Sequence, residues 1–334
     1  MFRSRSMKTR MAGVLFAIMA LTMPFTQAQA AKTMTVGTVV WIGYAPFYVA
    51  DAMYTYKKYG LKVKLVNFAD NATMPGALQG GSIDGAMLTY DMVIGAAAKD
   101  WPFKVVLPID YSDGGDAIVA TTDIKSPADL KGKCVPYNPL SPSDFLLAYA
   151  LQSNGLTEAD ITTVHMSPEA VAGAMASGLV DVGVTYEPNV SAIVNSGGGN
   201  RFHVIQSTKE APGLITNVLV FKQDYIAKHH EEITALMKGY FDALEFMSKE
   251  PEKAAEYIAR AMDISTEEVL AQLNEVHNPS LEETVGNFVK SDEILSFHTN
   301  GQMIGEILLA KDQIDRIPAI ESTLDDQFVQ GLLK

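Results

Sequence analysis

The chain has 334 residues, 48% of them apolar and 19% charged, enough for a packed core and too apolar for wholesale disorder. Acidic side chains outnumber basic ones 39 to 26, and a net charge of −13 argues against a nucleic-acid surface, which needs a cationic footprint. The one cysteine, Cys134, excludes an intramolecular disulfide and a cysteine-rich metal centre.

Residues 1–30 read as an address. Arg3, Arg5, Lys8 and Arg10 precede an apolar run over 11–21, and small residues stand at Ala28 and Ala30. The run is well short of the ~20 residues a spanning helix needs. The segment is therefore expected to be a secretory signal cut after Ala30, which places the mature chain in the periplasm. Its removal takes the net charge from −13 to −17 and leaves Arg201, Arg260 and Arg316 as the remaining arginines.

From Thr33 onward, β-rich runs alternate with helical patterns. Residues 34–40 read as a strand, 46–59 as a helix with Pro46 in its first turn and Gly60 at its end, and 61–68 as a second strand. A helix over 72–79, a strand over 84–88, a helix over 91–99 and a strand over 103–108 follow. Such alternation predicts a mainly parallel sheet with helices on both faces. At Asp113-Gly114-Gly115-Asp116 the chain is expected to change lobe, since glycine permits a sharp crossing.

A second series follows, with strands over 118–121, 133–137, 163–166, 181–186 and 202–206 and helices over 142–154, 168–177 and 188–195. Gly155 and Gly178 sit where helix C-caps belong. After an apolar run over 214–221 the pattern is helical over 222–250, 251–262, 266–276 and 291–310, a tail expected to pack back on the first lobe. The expected division is 31–117 for the first part of lobe 1, 118–213 for lobe 2, and 214–334 for the rest of lobe 1 with the C-terminal helices.

In open α/β sheets ligands bind beyond the carboxyl ends of the strands. At those ends stand Trp41-Ile42-Gly43-Tyr44, Thr89-Tyr90-Asp91, Asp110-Tyr111-Ser112-Asp113-Gly114-Gly115-Asp116, Ser141-Pro142-Ser143-Asp144 and Thr185-Tyr186-Glu187. Aromatic or acidic groups recur there, and arginine does not. The candidate ligand-binding residues are Asp91, Asp113, Asp116, Asp144 and Glu187 as acceptors, Trp41, Tyr44, Tyr90 and Tyr186 as walls, and Ser143 beside them. Structural roles compete at each. Ser141 to Asp144 fits a capping box, Asp91 an N-cap, Asp113 and Asp116 turn formers, and Trp41 and Tyr44 the core.

Catalytic signatures are missing: no Gly-x-Ser-x-Gly elbow, no Gly-x-Gly-x-x-Gly turn and no His-x-x-x-His pair occur. The chain is read as a non-enzyme without metal or cofactor.

The segments Trp41-Ile-Gly-Tyr-Ala-Pro-Phe-Tyr-Val-Ala50, Ala77-Leu-Gln-Gly-Gly-Ser-Ile-Asp-Gly85, Ser126-Pro-Ala-Asp-Leu-Lys-Gly-Lys133 and Val184-Thr-Tyr-Glu-Pro188 resemble solute-binding proteins of ABC importers, in the nitrate/sulfonate/thiamine-precursor branch, over roughly 35–310. The resemblance implies an α/β, two-lobed periplasmic binding protein of type II topology with its helical tail packed on lobe 1. It also implies a monomer that closes on a small solute and delivers it to a permease and its ATPase at the inner membrane. Within the branch, Asp110-Tyr-Ser-Asp-Gly-Gly-Asp-Ala-Ile-Val119 and Asn138-Pro-Leu-Ser-Pro-Ser-Asp-Phe-Leu-Leu147 are similar to members associated with urea carboxylase loci, which implies a guanidine-like solute. A taurine-like sulfonate, a thiamine precursor and a periplasmic sensor role are the alternatives.

Charge separates these solutes. An ionised carboxylate ~4 Å from a sulfonate costs about 4 kcal/mol at an effective dielectric of about 20, whereas a helix N-terminus returns about 0.3–1 kcal/mol. A cation over a Trp or Tyr face gains about 0.5–2 kcal/mol. The expected guest is a small cation or polar nitrogen compound, in a cleft where nothing but the guest answers the acids.

Overall fold

The computed structural model describes Met1 and residues 32–334, so the secretory-signal reading of 1–30 lies, but for Met1, outside the described residues. The first lobe opens with β1 (Lys32–Thr38), α1 (Ala45–Ala52), α2 (Thr55–Lys58), β2 (Leu61–Asn67), α3 (Met74–Gln79), β3 (Gly85–Thr89), α4 (Tyr90–Ala98) and β4 (Phe103–Ser112). The helix expected over 46–59 is broken in two, because Tyr54 takes φ 56 and cannot carry the helix on.

The chain then enters a second set of strands, β5 (Asp116–Thr121), β6 (Cys134–Tyr137), α5 (Pro142–Ser153), β7 (Thr162–His165), α6 (Pro168–Ala176), β8 (Val182–Tyr186), α7 (Asn189–Asn195) and β9 (Phe202–Ser207). Both α5 and α6 start at a first-turn proline behind a serine cap. Gly155 and Gly178, just beyond their ends, take φ 69 and φ 75.

The chain returns through β10 (Thr216–Lys222) to helices α8 (Gln223–Ile226), α9 (His230–Lys249), α10 (Pro251–Met262) and α11 (Thr266–Gln272). A short strand β11 (Val276–His277) precedes α12 (Leu281–Phe288), α13 (Phe297–Ala310) and α14 (Gln327–Leu332). The helix expected over 266–276 thus stops at Gln272 so that Val276 and His277 can pair with Ser112 and Tyr111. The one expected over 291–310 begins only at Phe297. Among the described residues no helix is long and apolar enough to cross a membrane.

The first sheet runs in the order β11-β4-β10-β3-β1-β2, and the second lobe holds β8-β5-β9 and the pair β6-β7. β1 is parallel to β2 and β3, and β6 to β7, but β10 is antiparallel to β3 and β4, and β5 to β8 and β9. The sheets are mixed rather than mainly parallel. The cause is the double crossing: a strand that enters a lobe runs against those that end at the cleft. The tail packs on the first lobe, where Tyr240 of α9 packs against Phe47 of α1 with centroids 4.9 Å apart and planes at 49°, and donates a hydrogen bond to the Ile109 carbonyl at 2.9 Å.

The two crossings are tied to each other. The Ser112 N–H donates to the Ile215 carbonyl (2.9 Å), and the Ser112 and Thr208 hydroxyls share a hydrogen bond (2.7 Å). Thr208 Oγ1 also accepts the Gly114 N–H (2.9 Å), and Ser112 Oγ accepts the Asp116 N–H (3.1 Å). Both hydroxyls are fully buried. Thr208→Val keeps the shape but leaves the Gly114 N–H and the Ser112 hydroxyl without their partner, so it is expected to cost about 1–3 kcal/mol, read from the urea midpoint; an unchanged midpoint would mean that the crossings do not depend on this joint.

Candidate functional site

A cavity of about 20 Å³ lies where the crossings, the ends of β1 and β3, and the second lobe meet. Trp41, Tyr44, Asn71, Thr89 and Asn217 line it from one side, Pro142 and Tyr186 from the other, with Asp116 at the start of β5. It holds little more than one water molecule. Among the described residues, none that lines it is Lys, Arg or His.

One carboxylate organises the wall. Asp110, fully buried near the end of β4, accepts the Trp41 indole N–H (3.1 Å) and the Asn217 side-chain N–H (3.0 Å) on Oδ1. Asn217 in turn accepts the Tyr44 hydroxyl (2.8 Å). Two aromatic walls are therefore hung, directly or through one amide, on a single acid. Trp41 meets Tyr186 of the second lobe edge-on, with centroids 5.9 Å apart at 89°. Glycine at 115 permits this: a Cβ there would lie 2.7 Å from Trp41 Cη2. Tyr48 fixes the Trp41 backbone, accepting its N–H at 3.3 Å.

The acids are short of partners. Asp110 Oδ2 and Asp116 Oδ2 are buried without a hydrogen bond. Burial pushes both carboxyls up to about 7, and at Asp116 the negative charges of Asp110 and Asp91 add to the rise. Asp91 is pushed up to about 6, mainly by burial. Tyr44 is held well above the ordinary phenol range, first by burial and then by the Asp110 charge.

A second cavity of about 230 Å³ adjoins the first. Asp91, Lys99, Ser141, Asp144 and Gln313 give it polar edges, and Met92, Trp101, Phe145, Leu308 and Ile314 an apolar floor.

Of the expected residues, the structure brings Trp41, Tyr44, Asp116 and Tyr186 together at the small cavity and Asp91 and Asp144 at the larger one. Asp144 is not a free acceptor. The Lys311 ammonium sits 2.7 Å from its Oδ1, while the Gln313 amide (2.7 Å) and the Leu140 N–H (2.9 Å) donate to Oδ2. Lys311 also pairs with Glu158. The expectation that nothing positive answers the acids fails at this position, because a lysine from the end of α13 reaches the start of α5.

Tyr90 is no cleft wall either. As the first residue of α4 it turns into the core, bonding Thr323 (2.9 Å) and packing on Phe297. Asp113 lines neither cavity and lies half-buried in the turn between β4 and β5, its N–H donating to the Glu275 carbonyl. Glu187 is buried but caps α7, accepting the Ser191 N–H (3.1 Å) and hydroxyl (2.8 Å). Burial, with Glu275 alongside, holds its carboxyl above the usual range. Ser143 is buried with its hydroxyl unpartnered and lines neither cavity.

Two residues central to the site are not among the candidates: Asp110, which the sequence places at the lobe crossing but does not distinguish from the acids around it, and Asn217, at the start of an apolar strand. The available signal was a lone polar group in an otherwise apolar run, Val105-Val106-Leu107-Pro108-Ile109-Asp110 and Asn217-Val218-Leu219-Val220-Phe221.

Two expectations follow. Between about pH 4 and pH 7 the folded chain keeps protons on Asp110 and Asp116 that the unfolded chain has released, so their contribution to stability is lost as pH rises. Raising the pH from about 5 to about 8 should lower the melting temperature of the ligand-free protein more than that of the Asp110→Asn/Asp116→Asn variant; parallel curves would refute the raised carboxyls. Separately, Lys311→Met leaves Asp144 buried and unpaired and should cost about 3 kcal/mol in urea denaturation, part of it recovered by adding Asp144→Asn.

The chain was compared with known proteins. The model of the NMT1-like family matches residues 27–262. The taurine-binding periplasmic protein of Escherichia coli (strain K12) is 28% identical over 204 residues, which span 59% of this chain and 62% of that protein. The solved periplasmic aliphatic sulphonate binding protein from Escherichia coli aligns with a TM-score of 0.71 at 20% identity, covering 87% of this chain and 97% of its own. The alkanesulfonate-binding protein from Xanthomonas axonopodis pv. citri, bound to MOPS, aligns at 0.73 with 16% identity, covering 90% and 100%. At such identities the likeness is one of fold, the two-lobed α/β fold of periplasmic binding proteins. With its family model spanning most of the sequence, the chain belongs to the NMT1-like family.

Proposed function

We propose that this chain is the periplasmic solute-capturing component of an ABC importer, and that its guest is a compact organic cation of the guanidinium type. The importer role rests on the family and on the taurine- and sulfonate-binding relatives. Its partners are then a permease and an ATPase at the inner membrane.

The guest rests on one observation: the small cavity has an unpartnered, buried carboxylate oxygen on Asp116, a second buried acid, Asp110, behind its Trp41–Asn217 wall, and no basic side chain among the residues that line it. A planar cation there would give Asp116 its missing donor in a charge-assisted bond and would lie against the ring faces of Trp41 or Tyr44. A cavity of about 20 Å³ must widen for either guest, and a guanidinium, with its few heavy atoms, demands less widening than a longer zwitterion.

A second reading, a sulfonate guest, is favoured by the taurine-binding relative. It has a physical route, because a carboxyl with its pKa near 7 can be protonated and donate to a sulfonate oxygen.

The two readings have opposite proton linkage. A cation favours ionised Asp116, so binding releases protons and tightens as pH rises; a sulfonate favours the protonated form and tightens as pH falls. Calorimetry on refolded, ligand-stripped protein with guanidinium and with taurine, from about pH 5.5 to about pH 8, separates them. The expected result is guanidinium binding that strengthens with pH and weakens about tenfold to a hundredfold in Asp116→Asn. Taurine binding that strengthens toward low pH, with no guanidinium binding, would overturn the cation reading.

A further inference from the structure

The two cavities share a partition. Asn71 lines the small one and Ala72 the large one; Pro142 the small and Ser141 the large; and Met92, the third residue of α4, lines both. Met92 is 7% exposed and, among the described residues, is the one that belongs to both walls. On one side lies about 20 Å³ beside Asp116, and on the other about 230 Å³ with the apolar groups Trp101, Phe145, Leu308 and Ile314. The large cavity could take an alkyl chain, and the residue common to its wall and to that of the small cavity is Met92.

We infer that Met92 is a specificity-determining residue: it closes the small cavity against N-substituents, so the site selects unsubstituted or minimally substituted cations, and the apolar cavity behind it is a latent compartment for an alkyl arm. This rests on the cation reading above. The side chain suits the role. A thioether chain is unbranched and fills irregular gaps, and this one, near the start of α4, contributes to the walls of both cavities. Shortening it would merge the two spaces without touching Asp116, Trp41 or Tyr44. Asp91, in the wall of the larger cavity and next to Met92 in the chain, would then meet a second positive charge on the arm.

The test is calorimetry with guanidinium, methylguanidinium and n-butylguanidinium on the wild type, Met92→Ala, Met92→Val and Met92→Leu. The readout is the ratio of butyl to parent affinity within each protein, which does not depend on how far a substitution weakens binding in general. In the wild type and in Met92→Leu, which keeps the bulk, butylguanidinium should bind at least about tenfold more weakly than guanidinium. In Met92→Ala, or in Met92→Val should the alanine variant fold poorly, that ratio should rise by about tenfold or more. Equal ratios in all four proteins, or a wild type that already accepts the butyl compound as well as the parent, would overturn the partition while leaving the cation reading intact. Failure of the wild type to bind any of the three cations would remove the cation reading and this inference with it.

Discussion

Asp110 is a carboxyl group taken out of water with no basic group bonded to it among the described residues. Burying such a group is expensive, and the protein meets the cost with two hydrogen bonds to one oxygen and a carboxyl pushed up to about 7. Those two bonds fix the Trp41 indole and the Asn217 amide, and through Asn217 the Tyr44 hydroxyl. The shape of the small cavity and the sign of its field therefore have a common origin. A neutral isostere at this position could keep the hydrogen bonds, but it would remove the negative charge from behind the wall.

The fold carries less information about the guest than this charge does. The sulfonate-binding neighbours share the two-lobed frame, and one frame hosts different ligands through the side chains at its strand ends. Side chains here tie the two lobes to each other at several points. Trp41 meets Tyr186 edge-on, Asn138 donates to Asp70 (3.0 Å) and Asn71 (3.1 Å), and Lys311 holds Asp144. The first two border the cavity, so a guest that orders Trp41 also favours closure, and closure excludes the water that would otherwise screen the acid.

Elements marked by local chemistry were legible in the sequence. Helices that open on a first-turn proline behind a serine, such as α5 and α6, begin where Ser141-Pro142 and Ser167-Pro168 place them. The site was legible where a residue's neighbours in the chain are also its neighbours in space: Trp41, Tyr44, Asp116 and Tyr186 stand at joints and line one cavity. It was illegible where the deciding partner is remote. Asp144 looks like a free acid until Lys311, 167 residues on, is placed against it. Tyr90 looks like a cleft aromatic until Thr323 and Phe297 come round to cover it. Asp110 and Asn217 flank apolar runs near a strand end and a strand start, and nothing local says that they turn to each other. The mixed direction of the sheets was hidden for the same reason, because local alternation does not say which strands cross between lobes.

The Lys311–Asp144 pair has a consequence for motion. Both charges lose most of their hydration when the parts meet, their side chains being 13% and 3% exposed, and that loss offsets much of their mutual attraction. On separation each end is rewetted, so parting them is not prohibitive. Under the proposed capture role, the pair would act as a locating pin rather than an adhesive: it would dictate the alignment to which the halves return while adding little to the depth of the closed well, and the cargo would decide how long the jaws stay shut.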